Sequence, residues 1–154
     1  MEHLKTKSGY FLRFEKGEDI VSTLTDFLTE VGVAFASLQG IGALDEAELG
    51  FFDSSRKTYL RREFAEDFEI ASLSGNVSLV DGGPFPHIHV ALSDPEFRVV
   101  GGHLFYGRVS VTCEMNLTVF EGEVHRHEDS GTGLKLMRLV DQLPSKDYGS
   151  PTSS

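Results

Sequence analysis

The chain's 154 residues make about one domain, at roughly 150 residues each, and a globule of that size can build a core without a metal or disulfide staple. Hydrophobic residues at 40% and charged residues at 25% exclude wholesale disorder. Fourteen basic against 24 acidic residues leave a net charge of -10, which disfavours direct DNA binding unless the basic groups cluster.

They do not cluster: the densest group, Arg56, Lys57, Arg61 and Arg62, is followed directly by Glu63, Glu66, Asp67 and Glu69. In chain order, residues 1–7 carry no apolar leader core, and no run approaches the ~18 apolar residues of a membrane span. The expectation is a cytoplasmic protein without a membrane segment. Tyr10, Leu12 and Phe14 alternate as in a short strand. Ile20, Leu24, Phe27, Leu28 and Val31 then fall on one stripe of a helix over residues 19–31, with acidic Glu18 and Asp19 at its positive end and Gly32 to stop it.

Beyond Gly32 the helical period gives way to short apolar runs broken by Gly, Asp, Asn and Pro. Strands are predicted over residues 34–38, 47–53, 57–64, 68–73, 76–81, 85–92, 97–106, 110–120 and 134–139. Many strands beside one long helix predict an α+β fold, an antiparallel-rich mixed sheet with the helix packed on it. A doubly wound parallel sheet would need a crossover helix between successive strands. Residues 1–143 read as a single domain, and the polar stretch 144–154 as a flexible C-terminal tail.

The chemistry concentrates between Gly82 and Glu114. His87-Ile88-His89-Val90 places two imidazoles on one face of a strand. Ser93-Asp94-Pro95-Glu96 turns the chain, and Gly101-Gly102-His103 lies on the returning strand. A three-residue turn at 94–96 sets His87 opposite His103, so that one divalent ion could reach all three rings. A two-residue turn, or a bulge at Gly101-Gly102, would alter that parity. Without such an ion, the rings are ordinary polar residues on the wet face of a sheet.

Read with Gly40-Ile41-Gly42-Ala43-Leu44, Phe68 to Val77 and Thr112-Cys113-Glu114-Met115, this block closely resembles the plants and prokaryotes conserved (PPC) domain in its single-domain prokaryotic form, over about residues 10–139. The resemblance implies a compact α+β subunit that assembles as a homotrimer, in a family described by convention as candidate DNA-binding proteins. In plant members AT-hook segments hold the minor groove while this domain trimerises and recruits nuclear proteins. This chain has no Arg-Gly-Arg-Pro hook. The resemblance carries His87, His89 and His103 over as ligands of a divalent metal, with Zn2+ foremost, since imidazole suits zinc but also nickel, copper and iron.

Glu69 and Glu114 match acidic positions of the family pattern. Either is a candidate to orient a ligand imidazole or to take a proton from a water the metal activates; the plainer reading is an ion pair with Arg98 or Arg108. His125-Arg126-His127 repeats the His-x-His motif among many charges and reads as a solvated strand end. Cys113, the single cysteine, reads as a small buried hydrophobe. Gly-x-Ser-x-Gly, Walker and dinucleotide motifs are absent. Two functions follow: a trimeric metal-binding module in transcription regulation, acting through a protein partner or small ligand; or, in second place, a metal-dependent enzyme with an open coordination position.

Overall fold

In the computed structural model, which describes residues 1–139, the sequence patterns extend into long antiparallel strands. The order is β1 (Glu2–Thr6), β2 (Gly9–Glu15), α1 (Ile20–Val31), β3 (Ala36–Asp53), β4 (Thr58–Phe64), β5 (Phe68–Val80), β6 (Gly83–Ser93), β7 (Val99–Val119), β8 (His125–Glu128) and β9 (Lys135–Arg138). The tail expected over 144–154 lies outside the described residues.

The helix forms where its signals place it. Asp19 is the N-cap, its carboxylate accepting from the backbone N–H of Val21 and Ser22, and Gly32 closes the other end in the left-handed conformation (φ 69°). Ile20, Leu24, Phe27 and Leu28 are buried in the core they share with Ile88, Leu92, Leu104 and Val109 from β6 and β7. Asp19 also accepts from the Gly107 N–H at 3.0 Å, which ties the start of the helix to β7.

Strands expected separately are continuous: residues 34–38 and 47–53 merge into β3, 68–73 and 76–81 into β5, and 97–106 and 110–120 into β7. The glycines between the apolar runs bring backbones together instead of ending strands. A Cβ at Gly75 would lie 2.1 Å from the carbonyl oxygen of His87, and one at Gly102 2.7 Å from that of Gly50. β3 pairs with β5 and β7, and β6 pairs with the same two strands, so the four close a ring of antiparallel pairings. Ile88, Val90 and Leu92 of β6 point into its buried interior. β8 joins β5 through a parallel bridge between Leu79 and His125 and pairs antiparallel with β9.

Candidate metal centre

The β6–β7 hairpin sets the geometry. Its turn has three residues but is centred one position later than expected, over 95–97: Asp94 and Arg98 close it, with Asp94 N donating to Arg98 O at 3.0 Å and Phe97 N to Asp94 O at 2.9 Å. The reason lies in Pro95, whose fixed φ suits the second position of a type I turn, with an aspartate before it. Phe97 then takes the left-handed position that completes such a hairpin (φ 62°). Asp94 Oδ1 accepts from the N–H groups of Glu96 and Arg98, both at 2.9 Å.

A one-position move of the turn shifts the register by two residues. His103 therefore stands opposite His89, not His87. A shift of two preserves parity, and His87 takes the diagonal place on the same face. No register break interrupts this pairing at Gly101 or Gly102, so those residues permit close backbone approach and not a bulge.

The three rings converge. Their centroids are 5.1 Å (His87–His89), 5.0 Å (His87–His103) and 5.6 Å (His89–His103) apart. One ring nitrogen from each can be chosen so that all three lie within 4.8 Å of one another. Exposure is graded: His89 is exposed, His87 half-buried and His103 only 8% exposed. Tyr59 and Phe105 wall the buried end, their ring centroids 5.5 and 4.6 Å from that of His103.

Burial, followed by the charge of Arg126 and the neighbouring rings His103 and His89, pulls the pKa of His87 down to about 4. Burial, then His89, Arg126 and Arg61, lowers that of His103 to about 4. Both rings are therefore neutral at physiological pH, the form a metal requires. Nδ1 of His103 is buried without a hydrogen-bond partner. An orphaned ring nitrogen beside two further imidazoles is a donor set that fits a divalent ion.

The candidate acids lie elsewhere. Glu69 and Glu114 are both exposed. Glu114 pairs with Ile41 on β3, three strands across the sheet from His89, on the order of 15 Å at roughly 4.8 Å per strand. Glu69 pairs with Ser93, on the order of 15 Å along β5 from the Ser74 that faces His89. Neither reaches the imidazoles, and the expectation that one of them works on a ligand there is corrected by that distance. Their suggested partners are engaged with other acids: Arg98 with Asp94 and Glu96, Arg108 with Asp45 and Glu46. Cys113 is fully buried, and burial, with Glu114 behind it, pushes its thiol up to about 12, so it is unreactive.

One residue at the site went unread in the sequence. Arg126, between the two histidines of the second His-x-His, turns inward from β8 and places Nη2 3.1 Å from Nδ1 of His87. Strand alternation was the available signal, since His125 and His127 face out.

The profile of the Plants and Prokaryotes Conserved (PCC) domain matches residues 1–121. The chain belongs to this family. Among solved PCC-like structures, a metal-containing protein from Archaeoglobus fulgidus is 40% identical, with a TM-score of 0.81 over 90% of this chain and 97% of that one. A candidate DNA-binding protein from Bacteroides thetaiotaomicron is 26% identical, with a TM-score of 0.86 over 89% and 96% of the two chains. The bifunctional protein GlmU of Synechococcus sp. (strain JA-3-3Ab) is 31% identical over 141 residues, 88% of this chain; the chain spans only 21% of that protein's length. The family match ends before β8, so the hairpin carrying Arg126 lies outside the matched PCC segment. Among the described residues, no helix is long and apolar enough to cross a membrane.

Proposed function

We propose that this PCC-domain protein is a homotrimeric metal-binding module in which His87, His89 and His103 hold a divalent ion, with zinc the favoured occupant, and which works in regulation through a small ligand or protein partner. The convergence of three imidazoles, one of them with a buried, unpartnered Nδ1, carries this reading. A metal-containing relative supports it. A bound zinc ion would supply Lewis acidity at a position the three ligands leave open. The chain's own contribution is to hold three neutral nitrogens in place from two paired strands and to shield the deepest with Tyr59 and Phe105.

Self-association is what the resemblance implies, and apolar side chains left exposed on the sheet support it: Ile41 (61%), Phe51 (69%), Val99 (60%) and Val111 (71%). Family members are described as candidate DNA-binding proteins, but a charge of -10 favours indirect action over strong phosphate contact. Metal analysis of the purified protein tests the site: the expected result is one ion per chain, lost in His103→Ala, and unchanged content in that variant contradicts the reading. Light scattering tests the assembly, with three times the chain mass of 17.0 kDa expected and a monomer at micromolar concentration contradicting it.

A further inference from the structure

Beside the histidines lies a cavity of about 350 Å³, walled by Phe85, His87, His103, Leu104 and Phe105 on β6 and β7 and by Arg126 and Leu136 from the C-terminal hairpin. Its volume is that of a small-molecule site. The lining is mostly apolar and includes no carboxylate among the described residues. Its two cations differ. Lys135 is paired with Asp81, whereas Arg126 has no carboxylate partner among the described residues.

Arg126 is built into place by neutral groups. Its Nε donates to the fully buried Ser78 Oγ at 2.7 Å, Nη1 to the carbonyl of Lys135 at 3.1 Å and Nη2 to Asn76 Oδ1 at 3.0 Å. The guanidinium also lies over the Phe85 ring, 5.4 Å from its centroid, and the remaining hydrogen bond is Nη2 to Nδ1 of His87. That contact requires Nδ1 to be the unprotonated nitrogen of the ring. A metal on His87 ends it either way: at Nδ1 the ion takes the lone pair, and at Nε2 the ring's proton must move to Nδ1, leaving donor facing donor. Metal uptake therefore leaves a half-buried guanidinium N–H without its acceptor, at the edge of an apolar cavity, in a site where an unmade charged hydrogen bond is costly.

We propose that this cavity takes a small organic monocarboxylate, its carboxylate on Arg126 and its apolar body against Phe85, Leu104 and Leu136, and that metal and acid each promote binding of the other. The inference rests on the metal-centre reading for its coupling and on the cavity alone for its ligand class. A single guanidinium in an apolar setting selects one carboxylate with a hydrocarbon body over inorganic phosphate or a polyanion. Coupling between the two sites is reciprocal by linkage.

Calorimetric titration with hexanoate, with hexan-1-ol and inorganic phosphate as counter-probes, tests the proposal on metal-free and zinc-loaded full-length protein. Saturable hexanoate binding is expected, tighter in the zinc-loaded form, with hexan-1-ol and phosphate much weaker. Arg126→Gln is expected to raise the hexanoate Kd at least about tenfold, the effect of losing a charged hydrogen bond, without weakening zinc binding measured in the absence of acid. Leu136→Glu, at a position 43% exposed and so tolerant of a polar side chain, places a like charge at the rim and should weaken hexanoate while leaving the circular dichroism spectrum and the Arg126 anchors intact. Hexanoate binding that is absent, matched by phosphate or unaffected by both variants overturns the ligand assignment. Equal hexanoate affinity with and without bound zinc overturns the coupling. Failure to load zinc at all contradicts the metal reading instead, and hexanoate binding to the metal-free protein still decides the ligand class.

Discussion

The chain carries His-x-His twice, and the two copies meet different fates. His87 and His89 lie on β6, paired on both sides by β5 and β7, and β7 delivers a third imidazole to the same face. His125 and His127 lie on the short β8, both exposed, with ring centroids 6.5 Å apart and His125 facing Glu123 at 3.1 Å. Spacing within a strand brings two rings to one face; a cross-strand neighbour and burial are what turn them into a donor set. The residue between each pair reverses the contrast: Ile88 is core, whereas Arg126 links the peripheral hairpin to the central site.

The largest expected effect comes from exchanging the two copies' roles by mutation. His103→Ala should abolish tight metal binding, while His125→Ala and His127→Ala should leave metal content unchanged; loss of metal in the β8 variants would erase the contrast. Next in size, Gly75→Ala would drive a Cβ into the carbonyl of His87, displacing β6 against β5. Chemical denaturation should report a loss of about 2 kcal/mol, in the range of overpacked sites, together with weakened zinc binding. Retained stability with normal zinc affinity would mean the strands are not so closely apposed.

A further effect is expected from pH on the metal-free protein. The folded-state pKa values of about 4 for His87 and His103 lie below the unfolded value of roughly 6.5. Across that interval the unfolded chain binds more protons, so stability should fall as pH drops from about 6.5 towards 4. Arg126, Arg61 and His89 face these rings and oppose their protonation. In His87→Ala or His103→Ala the dependence should flatten, as thermal melts across that interval would show; an unchanged slope would place its origin elsewhere. The smallest effect is expected from salt: with so acidic a chain, DNA binding should be weak even at low ionic strength, and tight binding that falls steeply with salt would reveal direct phosphate contact.

Local chemistry made part of this molecule legible from sequence. Asp19 and Gly32 mark both ends of the helix, and the apolar stripe between them names its buried face. Parity made the histidine face readable even though the turn was placed one residue early, because Pro95 acts through its fixed φ and not through turn length. The continuity of β3, β5 and β7 was hidden, since Gly40, Gly42 and Gly75 look like breaks until the neighbouring backbones that need them are in place. β1 was invisible for another reason: all five of its residues are exposed, so no apolar alternation marks it. Arg126 was unreadable as a site residue because its position depends on β8 docking beside β5, 39 residues from His87.

The central claim is that His87, His89 and His103 share one ion. X-ray absorption at the zinc edge, on protein loaded with one equivalent, tests it most directly: three imidazole nitrogens at roughly 2.0–2.1 Å are expected, with zinc lost or left with fewer imidazoles in each of the three single alanine variants. An imidazole count that none of those substitutions changes would contradict the account.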